Sequence, residues 1–403
     1  MNTMLPLLCL LLLAPPAAEP APDDLLGELV VEASEGDDPR AVRRIRVALD
    51  VEDTALLETR DILIRDLELT GELVVIPLES TPRPEVVVRL RIEGTRWVGD
   101  VTRERGAGTA TRVQDDDTLR PGRDHRFADA LVGALTGTPS DFAGRIAVIR
   151  RSEGTRRLFI TTTDGDERAL TDPEVVVAAV GFDPSGTIYW TASRDRAPFV
   201  LWQEGAAQPL ELDPSGSVYG FAFHADRFAA AIADGSRIEL WEGKWGKPLR
   251  MRSPGPASVG PTFATSNAIA TIEDLRGPPR VMLQGRAVSQ AGRVATALTA
   301  CREPGTERAR LLWVEQGKRV TYVMQRAIGE RDAKSTVAWS GRGNVRSLAC
   351  SPDGRTVVFG YDGGDLDGPG TYLMSAREGL WPTPARIASS VATGVAWGPQ
   401  RQP

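Results

Sequence analysis

Along residues 144–403 one pattern recurs six times: an alternating apolar segment, then an aromatic residue or Cys, then a turn. The recurring positions are Phe182, Phe223, Phe263, Cys301, Cys350 and Trp397, at intervals of 38 to 49 residues. A repeat of this length, holding several short strands, cannot bury both faces of its sheet alone, so the repeats must stack side by side. The pattern therefore predicts a six-bladed β-propeller. Each recurring position is followed by β-rich runs bounded by Gly, Pro, Asp and Ser, for example 187–193 and 199–205, 227–234 and 237–243, or 309–316 and 319–327. A third, weaker run closes each repeat, as at 208–213 and 247–252.

The two ends of the array are complementary. The first repeat has outer strands from residue 145 onward but no inner strand before them, whereas 391–397 is an inner strand with nothing after it. Pairing 391–397 with 145–151 closes the ring and removes the open edges that would invite aggregation.

The remaining residues form a separate unit. Residues 1–18 read as an export signal, with an apolar core at 5–14 that is too short to span a bilayer and cleavage after Ala18. Leu8 before Cys9 disfavours lipid attachment there, so export without a lipid is expected. In residues 19–137 strands are expected at 28–33, 44–50, 74–78 and 86–92, a hairpin at 96–103 and 109–113 around Gly106 and Gly108, and helices at 53–69 and 124–135. Asp124 is the expected N-cap of the second helix and Gly137 its stop. The organisation is thus α+β: a small N-terminal α/β domain, a linker at 138–143, and a six-bladed propeller closed by the C-terminal strand.

Charge and chemistry narrow the function. A net charge of −6 argues against a nucleic-acid partner. Only Lys244, Lys247, Lys318 and Lys334 are lysines among 48 basic residues; the arginines are scattered, which fits codon usage better than an anion site. Cys301 and Cys350 occupy equivalent positions in consecutive repeats. A disulfide is chemically allowed there, but the reading favours two buried thiols, since neighbouring blades can hold their Cα atoms beyond bridging range. His125 and His224 have no Cys or His at metal-ligand spacing and are assigned surface or packing roles. No nucleophile elbow, P-loop or dinucleotide fingerprint occurs, so no catalytic residue, cofactor or metal is expected. The loop 362–370 places Asp365, Asp367 and Gly368 at calcium-like spacing, yet Gly363 and Met374 stand where further ligands are needed, and a solvated loop is the favoured reading.

The segment 127–171 carries a family resemblance. Leu135, Thr136 and Gly137 end a helix; Phe142 follows in a short linker, then Arg145, Ile146 and Ala147 in a strand, Asp164 and Gly165 in a turn, and Leu170 and Thr171. With the Ser-Pro-Asp-Gly turn at 351–354 and the closing Ala396, Trp397 and Pro399, this resembles the TolB family of periplasmic propellers. The turns at His224 and Thr265 have lost that motif, and the small domain is shorter at 79–85 than the family's. The resemblance implies a periplasmic, monomeric, non-enzymatic scaffold that binds the peptidoglycan-associated lipoprotein and supports outer-membrane integrity and constriction. The matching lipoprotein-facing residues are Ser217, Gly220 and Val259; the segment holding Asp23, Asp24 and Leu25 matches the one that engages TolA. The alternative is a free-standing periplasmic sensor whose central channel takes a small molecule or glycan. A metal-dependent propeller enzyme is disfavoured by the scarcity of His.

Overall fold

The computed structural model describes residues 44–103, 111–116, 122–235, 237–253, 258–274, 277–302, 308–330, 333–377 and 383–400. The signal segment, the strand expected at 28–33, the turn at Gly106 and Gly108, and Asp23, Asp24 and Leu25 lie outside the described residues.

The small domain runs β1 (Ile45–Val51), α1 (Leu57–Leu69), β2 (Leu73–Val75), β3 (Val86–Glu93), β4 (Arg96–Arg103), β5 (Thr111–Asp115) and α2 (Arg123–Thr136). Its sheet has the order β2-β1-β3-β4-β5, with β1 parallel to both β2 and β3 and the other pairs antiparallel. Alternation along β3 turns Val86, Val88 and Leu90 inward, where they meet Leu63 and Leu67 of α1 and Phe127, Leu131 and Leu135 of α2. Gly99 lets α2 approach, since a Cβ there would lie 3.1 Å from Leu131 Cδ2 and 3.2 Å from Phe127 Cζ. The cap of α2 differs from expectation. Gly122, at φ 71°, occupies the N-cap, and Asp124 sits in the first turn, where the positive end of the helix favours a carboxylate and Thr59 Oγ1 donates to it at 2.9 Å. Gly137 ends the helix at φ 95°, donating its N–H to the Gly133 carbonyl.

Six antiparallel sheets follow. Gly394–Trp397 pairs with β6 (Ile146–Ser152), which pairs with β7 (Thr155–Thr161) and then β8 (Glu167–Ala169); this first blade is the closure that the end pattern demands. The other blades begin with Val176–Phe182, Ser217–His224, Ser258–Phe263, Val294–Arg302 and Val345–Cys350. These first strands contact one another in succession, and Gly394–Trp397 contacts both Val345–Cys350 and Val176–Phe182, so they surround the axis. The second blade departs from expectation: it has three strands, and residues 208–213 contribute an isolated bridge between Leu201 and Leu210 instead of a fourth.

Cys301 and Cys350 form a disulfide, contrary to the free-thiol reading. Adjoining first strands converge on the axis and bring the two Cα atoms to 5.3 Å, inside the range that a disulfide spans.

Candidate docking mouth

Strand direction defines two ends of the ring. Each first strand starts where the second strand of its blade finishes, and this end is termed the mouth; the turns joining first to second strands mark the base. The small domain sits at the base, against the first and sixth blades. Arg355, on the Ser-Pro-Asp-Gly turn of the sixth blade, donates from Nε to Glu72 Oε1 (3.1 Å) and from its terminal nitrogens to the Pro139 carbonyl (2.9 Å), Thr138 Oγ1 (2.6 Å) and Asp353 Oδ2 (3.4 Å). Its side chain is 5% exposed. Arg377 pairs with the same Glu72.

His125, expected on a polar helix face, is buried at the same junction. Its Nδ1 lies 2.6 Å from Asp66 Oδ2 and its Nε2 2.7 Å from Asp164 Oδ2 in the turn after β7. Burial alone would lower the imidazole's proton affinity, but the hydrogen bonds to Asp164 and Asp66 outweigh it and push the pKa up to about 9. The hydrogen bond from His125 in turn holds Asp164 below the usual carboxylate range. Asp129 accepts from Ser140 Oγ and from the Phe142 and Ala143 amides, fixing the linker to α2; burial nonetheless raises its pKa to about 6.

The mouth is built differently. The ladder between first and second strands slips in five blades, between Ala192 and Thr191 opposite Ala178, and at Val218/Gly220, Val259/Thr262, Ala295/Leu298 and Val345/Ser347. The skipped residues are Ala178, Tyr219, the pair Gly260 and Pro261, the pair Thr296 and Ala297, and Arg346. Such bulges turn side chains out of the ladder's alternation, and they commonly stand beside functional surfaces. Tyr219 is 43% exposed and stacks obliquely on Phe199 at 5.6 Å; Val176, first residue of its strand, is 37% exposed.

The expected site residues fall at or beside this level. Ser217 opens its strand opposite Ala233, and its Oγ accepts from the Phe199 amide at 3.0 Å. Val259 pairs with Ile272 just before the bulge. Gly220 is buried: a Cβ there would lie 3.2 Å from the Gly260 backbone nitrogen, so its role is to let neighbouring first strands approach. Tyr219 and Arg346 escaped the sequence reading because bulges follow strand register, which composition does not encode. In the loop 362–370, Asp362 accepts from Asn344 and Arg346, and Asp365 accepts from the Arg342 amide. Among the described residues no group of three or more His, Cys, Asp or Glu is placed to hold a metal ion. No helix among the described residues is long and apolar enough to cross a membrane.

The architecture defines a propeller with an appended α/β domain, whose mouth offers a rim of bulges. No protein-family model matches the chain. Over 149 residues it is 32% identical to the Tol-Pal system protein TolB of Anaeromyxobacter dehalogenans strain 2CP-C, a match covering 34% of each chain. Over 151 residues it is 27% identical to TolB of Syntrophotalea carbinolica, covering 37% of this chain and 31% of that one. The matches thus span about a third of the length of these curated relatives. The crystal structure of TolB from Acinetobacter baumannii superposes with a TM-score of 0.64 at 15% identity, covering 89% of this chain and 97% of that one. The partial sequence matches and the shared fold together support a divergent TolB.

Proposed function

We propose that this chain is a periplasmic, non-enzymatic scaffold of the Tol-Pal system that binds the peptidoglycan-associated lipoprotein across the mouth of its propeller, supporting outer-membrane integrity and constriction at division. The observation that carries the reading is the rim of bulges at one end of the ring, with Tyr219 and Val176 exposed beside Ser217 and Val259. Aromatic side chains partly exposed on a rigid frame are the residues that protein interfaces favour, because they bury much area at little cost in conformational freedom. The small domain at the base leaves this end to a partner. The N-terminal segment holding Asp23, Asp24 and Leu25 is proposed to engage TolA once residues 1–18 have been removed.

The test is calorimetric titration of the folded chain with the soluble domain of the same organism's peptidoglycan-associated lipoprotein. Saturable binding that weakens at least tenfold in Tyr219→Ala supports the reading. Absence of binding by the folded protein removes it. The runner-up, a ligand-binding propeller, is favoured by one feature: a cavity of about 430 Å³ between the first and second blades, lined by Trp190, Trp202, Val175 and Pro198. Its size lies within the range of small-molecule pockets.

A further inference from the structure

The mouth also holds a concentration of positive charge, at the seam where the ring closes. The hairpin of β6 and β7 reads Arg150, Arg151, then a turn, then Arg156 and Arg157, and its register sets Arg151 directly opposite Arg156 and Arg150 opposite Arg157. Like charges opposite one another in a ladder destabilise it unless something neutralises them. For one pair the neutralisation is internal. Arg150 forms a two-nitrogen contact with the Glu167 carboxylate, and Arg157 donates to the Thr171 carbonyl. The other pair has no carboxylate. Arg156 reaches the carbonyl of the bulged Ala178 at 3.4 Å, its Nε is buried with no partner, and Arg151 makes no hydrogen bond or ion pair among the described residues. Burial and the charge of Arg151 both lower the proton affinity of Arg156, which registers the same unbalanced field.

These guanidinium groups open on a cavity of about 680 Å³, lined also by Arg346, Asp362, Ser390 and Thr393. Among the described residues Asp362 is the one carboxylate in that lining, and Arg346 and Asn344 already bind it. The lining therefore carries four guanidinium groups against one carboxylate, in a chain whose net charge is −6. A fork of guanidinium donors matches the two oxygens of a carboxylate better than any neutral group.

We infer that Arg151 and Arg156 form a carboxylate-binding site at the mouth, which takes an acidic segment of a docking protein. The inference rests on the docking reading for the source of that segment but not for the site itself. It also extends the docking surface from the third and fourth blades, where Ser217 and Val259 lie, across the ring to the seam between the sixth and first.

The experiment is calorimetric titration of the full chain with a hexaglutamate peptide at low ionic strength, beside Arg151→Gln, Arg156→Gln and the double variant. The expected result is saturable binding that weakens at least tenfold in the double variant, with a shallower dependence on salt. Arg151 is exposed and unpaired, so Arg151→Gln reports on the site even if Arg156→Gln disturbs the contact to Ala178. Equal binding by wild type and both single variants would overturn the inference, as would no binding of hexaglutamate. Tight binding of inorganic phosphate with none of the peptide would overturn the acidic-segment assignment in favour of a free oxyanion. If the lipoprotein domain fails to bind while hexaglutamate binds as expected, the docking proposal falls and the carboxylate site stands. If the lipoprotein binds wild type and double variant equally, its carboxylates do not occupy the site.

Discussion

At the base of the ring Arg355 is buried, and its guanidinium contacts two carboxylates, a carbonyl and threonine hydroxyls; at the mouth Arg151 is exposed, faces another arginine and makes no hydrogen bond or ion pair among the described residues. The same residue type thus serves two ends of one fold in opposite ways. A buried charge is tolerated only where partners replace its water, so the base is a joint whose chemistry is complete within the chain. The Arg151 and Arg156 pair at the mouth lacks that completion, and the first-strand ladders slip there, which turns side chains out of the regular alternation. On the proposed function, rigid packing belongs to the base and recognition to the mouth.

The comparison predicts that substitutions at the base act on stability and those at the mouth on binding. The largest effect is expected for Arg355→Ala, which removes one partner each from Asp353 and Glu72. Breaking a buried pair from one side costs roughly 3–5 kcal/mol, to be read from the denaturant midpoint. Next comes the Cys301–Cys350 bridge, which ties the fifth blade to the sixth. Its reduction, or Cys301→Ala with Cys350→Ala, is expected to cost about 2–4 kcal/mol, checked by urea unfolding with and without reductant.

A smaller effect concerns pH. The folded pKa of His125 is raised to about 9, above its ordinary value of 6.5, so its contribution to stability is fully present below about 6.5 and is lost as pH rises through about 9. Unfolding measured across that window should show a decline on the order of 2 kcal/mol, which His125→Gln flattens. An equal decline in the variant would place the pH dependence elsewhere. The smallest change in stability is expected at the mouth, where Tyr219→Ala should alter it by no more than about 0.5 kcal/mol while weakening lipoprotein binding. A large loss of stability there would blur the distinction between the two ends.

Much of the architecture was legible because a ring repeats its constraints. Phe182, Phe223, Phe263, Cys301, Cys350 and Trp397 each end or close a first strand, and the missing strand at one end of the array matched the spare strand at the other. The failures lie in placement rather than composition. The disulfide depends on how closely two first strands converge and the buried His125 on how a domain docks, both contacts between segments distant in sequence. The paired arginines are near in sequence, but only strand register sets Arg151 opposite Arg156. The weak run at 208–213 had the composition of a strand, but it meets the adjoining strand only through the isolated bridge of Leu210 to Leu201, which leaves the second blade with three.

The most direct test of a base that binds inward and a mouth that binds outward is amide hydrogen exchange on the chain with and without the soluble lipoprotein domain. Bulged positions lie outside the regular ladder, so their amides should exchange readily in the unbound protein and report on coverage. The account predicts new protection at Val176 to Ala178, Ser217 to Gly220, Val259, Gly260 and Arg346, with the junction around Glu72, His125 and Arg355 unchanged. Protection confined to that junction, with the mouth exchanging as before, would contradict it.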